Sequence, residues 1–207
     1  MLRRKAETRA TEEKPAAPRT EEIERVDRNL RASFRYLADF AREVNAAMPV
    51  VGHRYRMVYM GDLPELTLTD AFADFRMRRM DDREFHDYVS LSCRLRPSHK
   101  PTVELSGQDL EQFERELAAL QLECERRESR NIFGRVSRVA FTLSAIPCYV
   151  RIRANYDSFD FWVELRNVGG LGRARRSFSL EAYTEDLIDE LGQYLLGLDR
   201  SFASRLE

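Results

Sequence analysis

Hydrophobic positions follow two different rhythms along this chain. From Glu21 to Met48 they recur with helical spacing, and from Arg54 to Leu180 they mostly alternate one in, one out, with helical spacing returning at Leu110–Leu120 and Leu187–Leu195. The first stretch predicts one long helix that stops before Pro49. Ile23, Leu30, Leu37 and Val44 fall every seven residues, as do Val26, Ser33, Phe40 and Ala47. Phe34 and Ala41 widen that stripe beyond a coiled-coil seam, so the helix is expected on its own sheet, with pairing to a second copy as the alternative. Thr20 is the expected N-cap, with Glu21 and Glu22 in the first turn.

Alternation then predicts a short strand at 55–60, a turn through Gly61-Asp62-Leu63-Pro64, and strands at 70–80, 83–96 and 101–105. Ser106-Gly107-Gln108-Asp109 has the form of a capping box before a helix carrying Leu110, Phe113, Leu117 and Leu120. Alternation resumes at Leu120, Leu122 and Cys124 and again at 136–145. Strands at 148–156 and 159–167 flank the turn Asp157-Ser158, and a last strand runs to Leu180. A closing helix carries Leu187, Ile188, Leu191, Tyr194 and Leu195, with Gly197 placed to end it.

This order contains an echo. Phe75-Arg76-Met77-Arg78 and Val150-Arg151-Ile152-Arg153 open the same strand-strand-strand-helix series about 75 residues apart. The expected fold class is α+β: antiparallel meander sheets with helices on one face, a duplicated unit and a long N-terminal helix. The expected divisions are a disordered tail at 1–19, the helix at 20–48, a first unit at 49–120, a second at 121–199 and a C-terminal tail at 200–207.

Strand parity sorts side chains by face. In the second unit Cys148, Val150, Ile152, Ala154, Phe159, Phe161, Val163 and Leu165 are expected to point to the core. Tyr149, Arg151, Arg153, Trp162, Glu164, Arg166, Arg173 and Arg175 collect on the other side. In the first unit Phe85, Val89, Leu91, Cys93 and Leu95 are expected inward, and His86, Tyr88, Arg94 and Arg96 outward with Arg76 and Arg78. The helices carry the acids: Asp109, Glu111, Glu114 and Glu116 in the middle one, and Glu181, Glu185, Asp186, Asp189 and Glu190 in and beside the last.

Composition sharpens this picture only where charge is concerned. The 207 residues carry a net charge of −1, which sets no sign for a partner, so the segregation of charge between sheet and helices is the informative part. Arginine supplies nearly all the positive charge, since only Lys5, Lys14 and Lys100 are lysines. That bias fits a GC-rich bacterial genome, and it provides planar donors suited to carboxylates and phosphates. Cys93, Cys124 and Cys148 are widely spaced and show neither a disulfide framework nor a zinc pattern, which fits a reducing cytoplasm. No apolar run approaches a membrane span, and the basic N-terminus leads into no signal-peptide core.

Candidate chemistry is thin. His86 lies between Asp82 and Asp87 without a second histidine at ligand spacing, and reads as a solvated strand histidine; His53 and His99 fall in loops. Asp157 with Asp160, and Asp81 with Asp82, read as turn aspartates. Gly169-Gly170-Leu171-Gly172 precedes a strand rather than a helix, so it reads as a hairpin loop rather than a phosphate cradle. No nucleophile elbow, zincin helix or Walker loop is present. The reading is therefore a cytoplasmic, non-enzymatic interaction protein needing no cofactor or metal. Its binding residues would be Arg94, Tyr149, Arg151, Arg153, Trp162, Arg166, Arg173 and Arg175. The partner is another protein, with self-association through the first helix as a variant. Single-stranded nucleic acid on the same face, or a small-ligand or enzyme pocket between the units, are the alternatives.

Overall fold

The computed structural model describes residues 16–205, with side chains from Arg19. The fold is α+β, with a long N-terminal helix, antiparallel sheets and further helices. In chain order come α1 (Ala16–Ala47), β1 (Arg56–Met57), β2 (Gly61–Asp62), β3 (Leu66–Met80), β4 (Arg83–Pro97) and β5 (Thr102–Leu105). Next are α2 (Gly107–Leu120), β6 (Cys124–Arg130), β7 (Val136–Leu143), β8 (Ile146–Asn155), β9 (Asp160–Arg166) and β10 (Arg173–Ser179). The chain closes with α3 (Glu185–Leu196) and α4 (Ser201–Ser204).

Helix α1 starts at Ala16, so Thr20 lies inside it instead of capping it. Pro18 falls in the first turn, where an N–H would have no intrahelical acceptor, and a proline is tolerated there. The remainder of the expected N-terminal tail lies outside the described residues. At the other end Met48 adopts a left-handed φ of 45°, and Pro49 follows. Val26, Leu30, Leu37, Phe40, Ala41 and Val44 are buried against β3, β4 and β8. Each of these side chains other than that of Ala41 contributes roughly 1.5–3 kcal/mol relative to exposure. The apolar stripe of α1 is thus consumed by the chain's own sheet, which leaves a helix-paired dimer without its seam.

The main sheet has the order β10-β9-β8-β4-β3 and is antiparallel throughout. Strands of both echoed series enter it, because β4 pairs with β8 from Tyr88↔Arg153 to Leu95↔Ile146. The series differ in their third strand: β10 stays beside β9, whereas β5 leaves to form a second sheet of order β5-β7-β6. Helix α2 packs on that second sheet, with Phe113 edge-on to Phe141 at 5.1 Å. Ser106 occupies the N-cap position of α2 but makes no capping hydrogen bond, since Gly107 follows at a φ of 57°.

Helices α1 and α3 share the inner face of the main sheet. Tyr183, just before α3, stacks on Phe161 of β9 at 3.9 Å and shares a 2.7 Å hydrogen bond with Ser33 of α1. Thr184 caps α3 by accepting the Leu187 N–H, and Gly197 ends it at a φ of 70°. Of the expected C-terminal tail, Ser201–Ser204 form α4, whose Phe202 is wholly buried, 5.8 Å from the Tyr194 ring; the tail's last two residues lie outside the described residues.

Two bulges set the parity of the sheet. In β3, pairing jumps from Thr69↔Arg94 to Phe72↔Ser92, with Asp70 at a φ of 53°. The Asn45 side chain braces this bulge, accepting the Ala71 N–H and donating to the Ala71 carbonyl, each at 2.8 Å. In β4, Arg76↔Tyr88 is followed by Met77↔His86, which leaves Asp87 unpaired. An extra residue reverses the alternation beyond it. His86 therefore turns inward, contrary to the outward placement expected from simple parity. It is buried, and its backbone N–H and Nδ1 lie 2.7 and 2.8 Å from Asp27 Oδ1 of α1. His86 is a buried anchor for the long helix rather than a solvated strand histidine.

Candidate binding face of the five-stranded sheet

The register of the main sheet places outward side chains in three rows that run across all five strands. The first row reads Arg173, Arg166, Tyr149, Ser92, Phe72 from β10 to β3. The second reads Arg175, Glu164, Arg151, Ser90, Asp74. The third reads Ser177, Trp162, Arg153, Tyr88, Arg76. Six arginines in these rows meet two carboxylates, Glu164 and Asp74. Arg94, opposite Pro147, extends the face beyond the first row, so Arg94, Tyr149, Arg151, Arg153, Trp162, Arg166, Arg173 and Arg175 all share it. The helices lie on the opposite side, and α1 does not cross this surface.

Two of the guanidinium groups, those of Arg151 and Arg175, are positioned by aromatic rings rather than by acids. Arg175 lies 4.0 Å from the Trp162 ring centre. Arg151 sits 4.8 Å from the Tyr88 ring and 5.1 Å from the Tyr149 ring, and its Nε donates to the Tyr149 hydroxyl at 2.7 Å. Such contacts hold a cation over a ring while leaving its N–H edge available. Arg153 instead pairs with Asp87, the bulge residue, at 3.4 Å. Arg96 pairs with Asp70 at 2.8 Å, and that hydrogen bond, ahead of opposing desolvation, holds the Asp70 carboxyl below its ordinary value. Among the described residues Arg94, Arg151, Arg166, Arg173 and Arg175 make no ion pair.

Beside the first row the surface dips into a depression of about 790 Å³, lined by Asp70, Ser92, Arg94, Arg96, Tyr149, Arg151 and Arg166 together with Cys93, Pro147 and Cys148. Strands of both echoed series contribute. Cys93 and Cys148 face each other directly across β4 and β8 as free, buried thiols, although they are far apart in sequence. The Cys148 thiol donates to the Asn167 carbonyl at 3.0 Å.

Several residues that shape this face escape simple parity. Phe72, 63% exposed, completes the first row and owes its placement to the β3 bulge. Asn167 is wholly buried at a φ of 53° and ties the β9–β10 loop to β8. The loop at 169–172 joins two strands, in keeping with a hairpin connection. An asparagine before a glycine run is the one local signal that could have singled out Asn167.

The other candidates are dispersed. His53 binds the Tyr194 carbonyl through its ring, and His99 is exposed. Asp157 lies 3.7 Å from Arg19, and Asp82 pairs with Arg79 at 3.1 Å. Among the described residues no three metal-binding side chains come together, and no helix is long and apolar enough to cross a membrane. The chain matches no protein-family model, no curated protein and no solved structure.

Proposed function

We propose that this protein is a non-enzymatic docking module that binds an acidic, aromatic-bearing segment of another protein on the outer face of its main sheet, in a reducing cytoplasm where Cys93 and Cys148 stay as thiols. The observation that carries this reading is a pair of arginines, Arg151 and Arg175, that are held by rings and make no ion pair among the described residues. Arg175 on Trp162, and Arg151 between Tyr88 and Tyr149, are fixed before a ligand arrives, so little side-chain entropy is lost on binding. Their free N–H edges match carboxylates through charge-assisted, bidentate bonds. The same contacts weigh against single-stranded nucleic acid. Base stacking needs a bare aromatic face, and here Trp162 and both tyrosines already have a guanidinium against them.

The sole tryptophan of the chain, Trp162, lies within the face and reports on it directly. Titration of a Glu-, Asp- and Tyr-containing peptide should change its fluorescence in a saturable way. Reversing Arg151, Arg153 and Arg173 to glutamate should weaken that binding by at least about tenfold, as expected for losing charge-assisted contacts. Unchanged affinity in the triple variant refutes the reading. A single-stranded oligonucleotide that binds more tightly than the peptide, with affinity falling steeply as salt rises, would establish nucleic acid as the ligand instead.

A further inference from the structure

We infer that the depression beside the first row is a phosphoryl-binding site, so that the docked segment presents a phosphorylated side chain to it. The inference rests on the docking role proposed above and adds the chemical identity of one contact.

Four arginines line the depression, and Asp70 is its only carboxylate. Asp70 is already engaged by Arg96 at 2.8 Å. Arg94, Arg151 and Arg166 therefore bring three positive charges, none of them in an ion pair among the described residues; Glu164 lies opposite Arg151 but outside the lining, and Arg94 acts on Asp70 only as a secondary influence behind Arg96. A single carboxylate offers one negative charge and two oxygens. A phosphoryl group on serine, threonine or tyrosine offers about −1.5 to −2 charges and three strong acceptor oxygens, which suits three guanidinium groups better.

Donor geometry points the same way. The Tyr149 hydroxyl accepts the Arg151 Nε–H, so its own proton is free to be donated to another oxygen. Arg151 keeps both terminal nitrogens for a ligand, and the two flanking rings hold its plane in place. The Ser92 hydroxyl is not part of this donor set, because it bonds the Phe72 carbonyl at 3.3 Å. At about 790 Å³ the depression also has room for the stem of the modified side chain and its neighbours, within the usual range for ligand clefts of roughly 300–1,000 Å³.

The test uses the full chain and one acidic peptide in three forms, with a central serine, phosphoserine or glutamate, each titrated against Trp162 fluorescence and by calorimetry. The phosphoserine form should bind about tenfold more tightly than the serine form, the gain expected from one or two new charge-assisted bonds. Inorganic phosphate at millimolar concentration should remove that advantage without displacing the serine peptide. Arg166→Gln and, separately, Arg94→Gln should each weaken the phosphoserine form more than the serine form, so that the ratio of the two affinities falls by at least about threefold. Arg94 is exposed, so its variant retains the fold even if the Arg166 variant proves unstable. Equal affinity of the serine and phosphoserine forms, or of the glutamate and phosphoserine forms, overturns the phosphoryl assignment and leaves the docking role intact. Failure of all three peptides to bind removes the docking role, and the inference with it.

Discussion

Replacing Asn167 by alanine should destabilise the fold by about 3–5 kcal/mol. The side chain is wholly buried and makes two hydrogen bonds: Nδ2 donates to the Pro147 carbonyl at 2.8 Å, and Oδ1 accepts the Gly172 N–H at 3.0 Å. Truncation leaves both partners unpaired in a partly buried site, roughly 1–3 kcal/mol each. The backbone φ of 53° adds to this cost. Asparagine tolerates that left-handed conformation, whereas a residue without a local polar group loses roughly 1–2 kcal/mol there. Glycine recovers the backbone part only, so Asn167→Gly should be about 1 kcal/mol less damaging than Asn167→Ala. Urea unfolding followed by circular dichroism separates the variants. An alanine variant within 1 kcal/mol of the parent, or a glycine variant as damaging as alanine, would refute the argument (both limits set against the hydrogen-bond costs above). Because Asn167 follows Arg166 and its loop leads into Arg173, the folded alanine variant should also bind the acidic peptide more weakly.

Two further outcomes follow from the buried polar groups. Asp27→Ala removes the acceptor shared by the His86 N–H and Nδ1 and frees Arg31, 3.2 Å from Oδ2; a loss of about 2–5 kcal/mol is expected in urea unfolding, with Asp27→Asn milder, and an unchanged midpoint would show that α1 is held by apolar packing alone. At alkaline pH, burial, followed by Asp189 and Glu43, pushes the Tyr36 phenol up to about 12, and burial drives Tyr55, Tyr156 and Tyr183 upward as well. The unfolded phenols ionise near pH 10 while the folded ones stay neutral, so this stability is intact below pH 10 and declines as pH rises toward the folded values. Phenolate absorbance from these tyrosines should therefore appear together with loss of the helical signal, and a gradual rise on an intact fold would contradict it.

How legible each part of the fold was depended on whether it left a period in the sequence. The α1 stripe from Val26 to Val44 is buried on one face, so its helical spacing is direct. Strands β8 and β9 alternate without interruption, which is why Arg151, Arg153, Trp162 and Arg166 could be assigned to a common side from residues alone. Strand β6 left no such trace. From Glu125 to Arg130 every side chain is exposed, so a strand with no buried face shows no alternation. Pairing partners were also illegible: β5 follows β4 closely in sequence but hydrogen-bonds to β7, about 40 residues on. The bulges were hidden for a different reason. One unpaired residue changes which side chains face the core but hardly alters composition, so nothing in the residues around Asp87 announces that parity reverses there.

That single bulge links the hidden and open sides of the sheet. His86, turned inward, binds Asp27 and fixes α1, while the adjacent Asp87 turns outward and pairs with Arg153 in the third row. Without the extra residue, regular alternation would send His86 to the arginine face and leave the Asp27 carboxylate of α1 buried without its partner. The same shift would take from Arg153 the acid that holds it beside Trp162 and Tyr88. The core and the candidate binding face are thus specified together at this position, so a substitution at Asp27 should register in peptide affinity as well as in stability. An Asp27→Asn variant that loses stability yet binds the acidic peptide with parental affinity would show that the two sides of the sheet are independent.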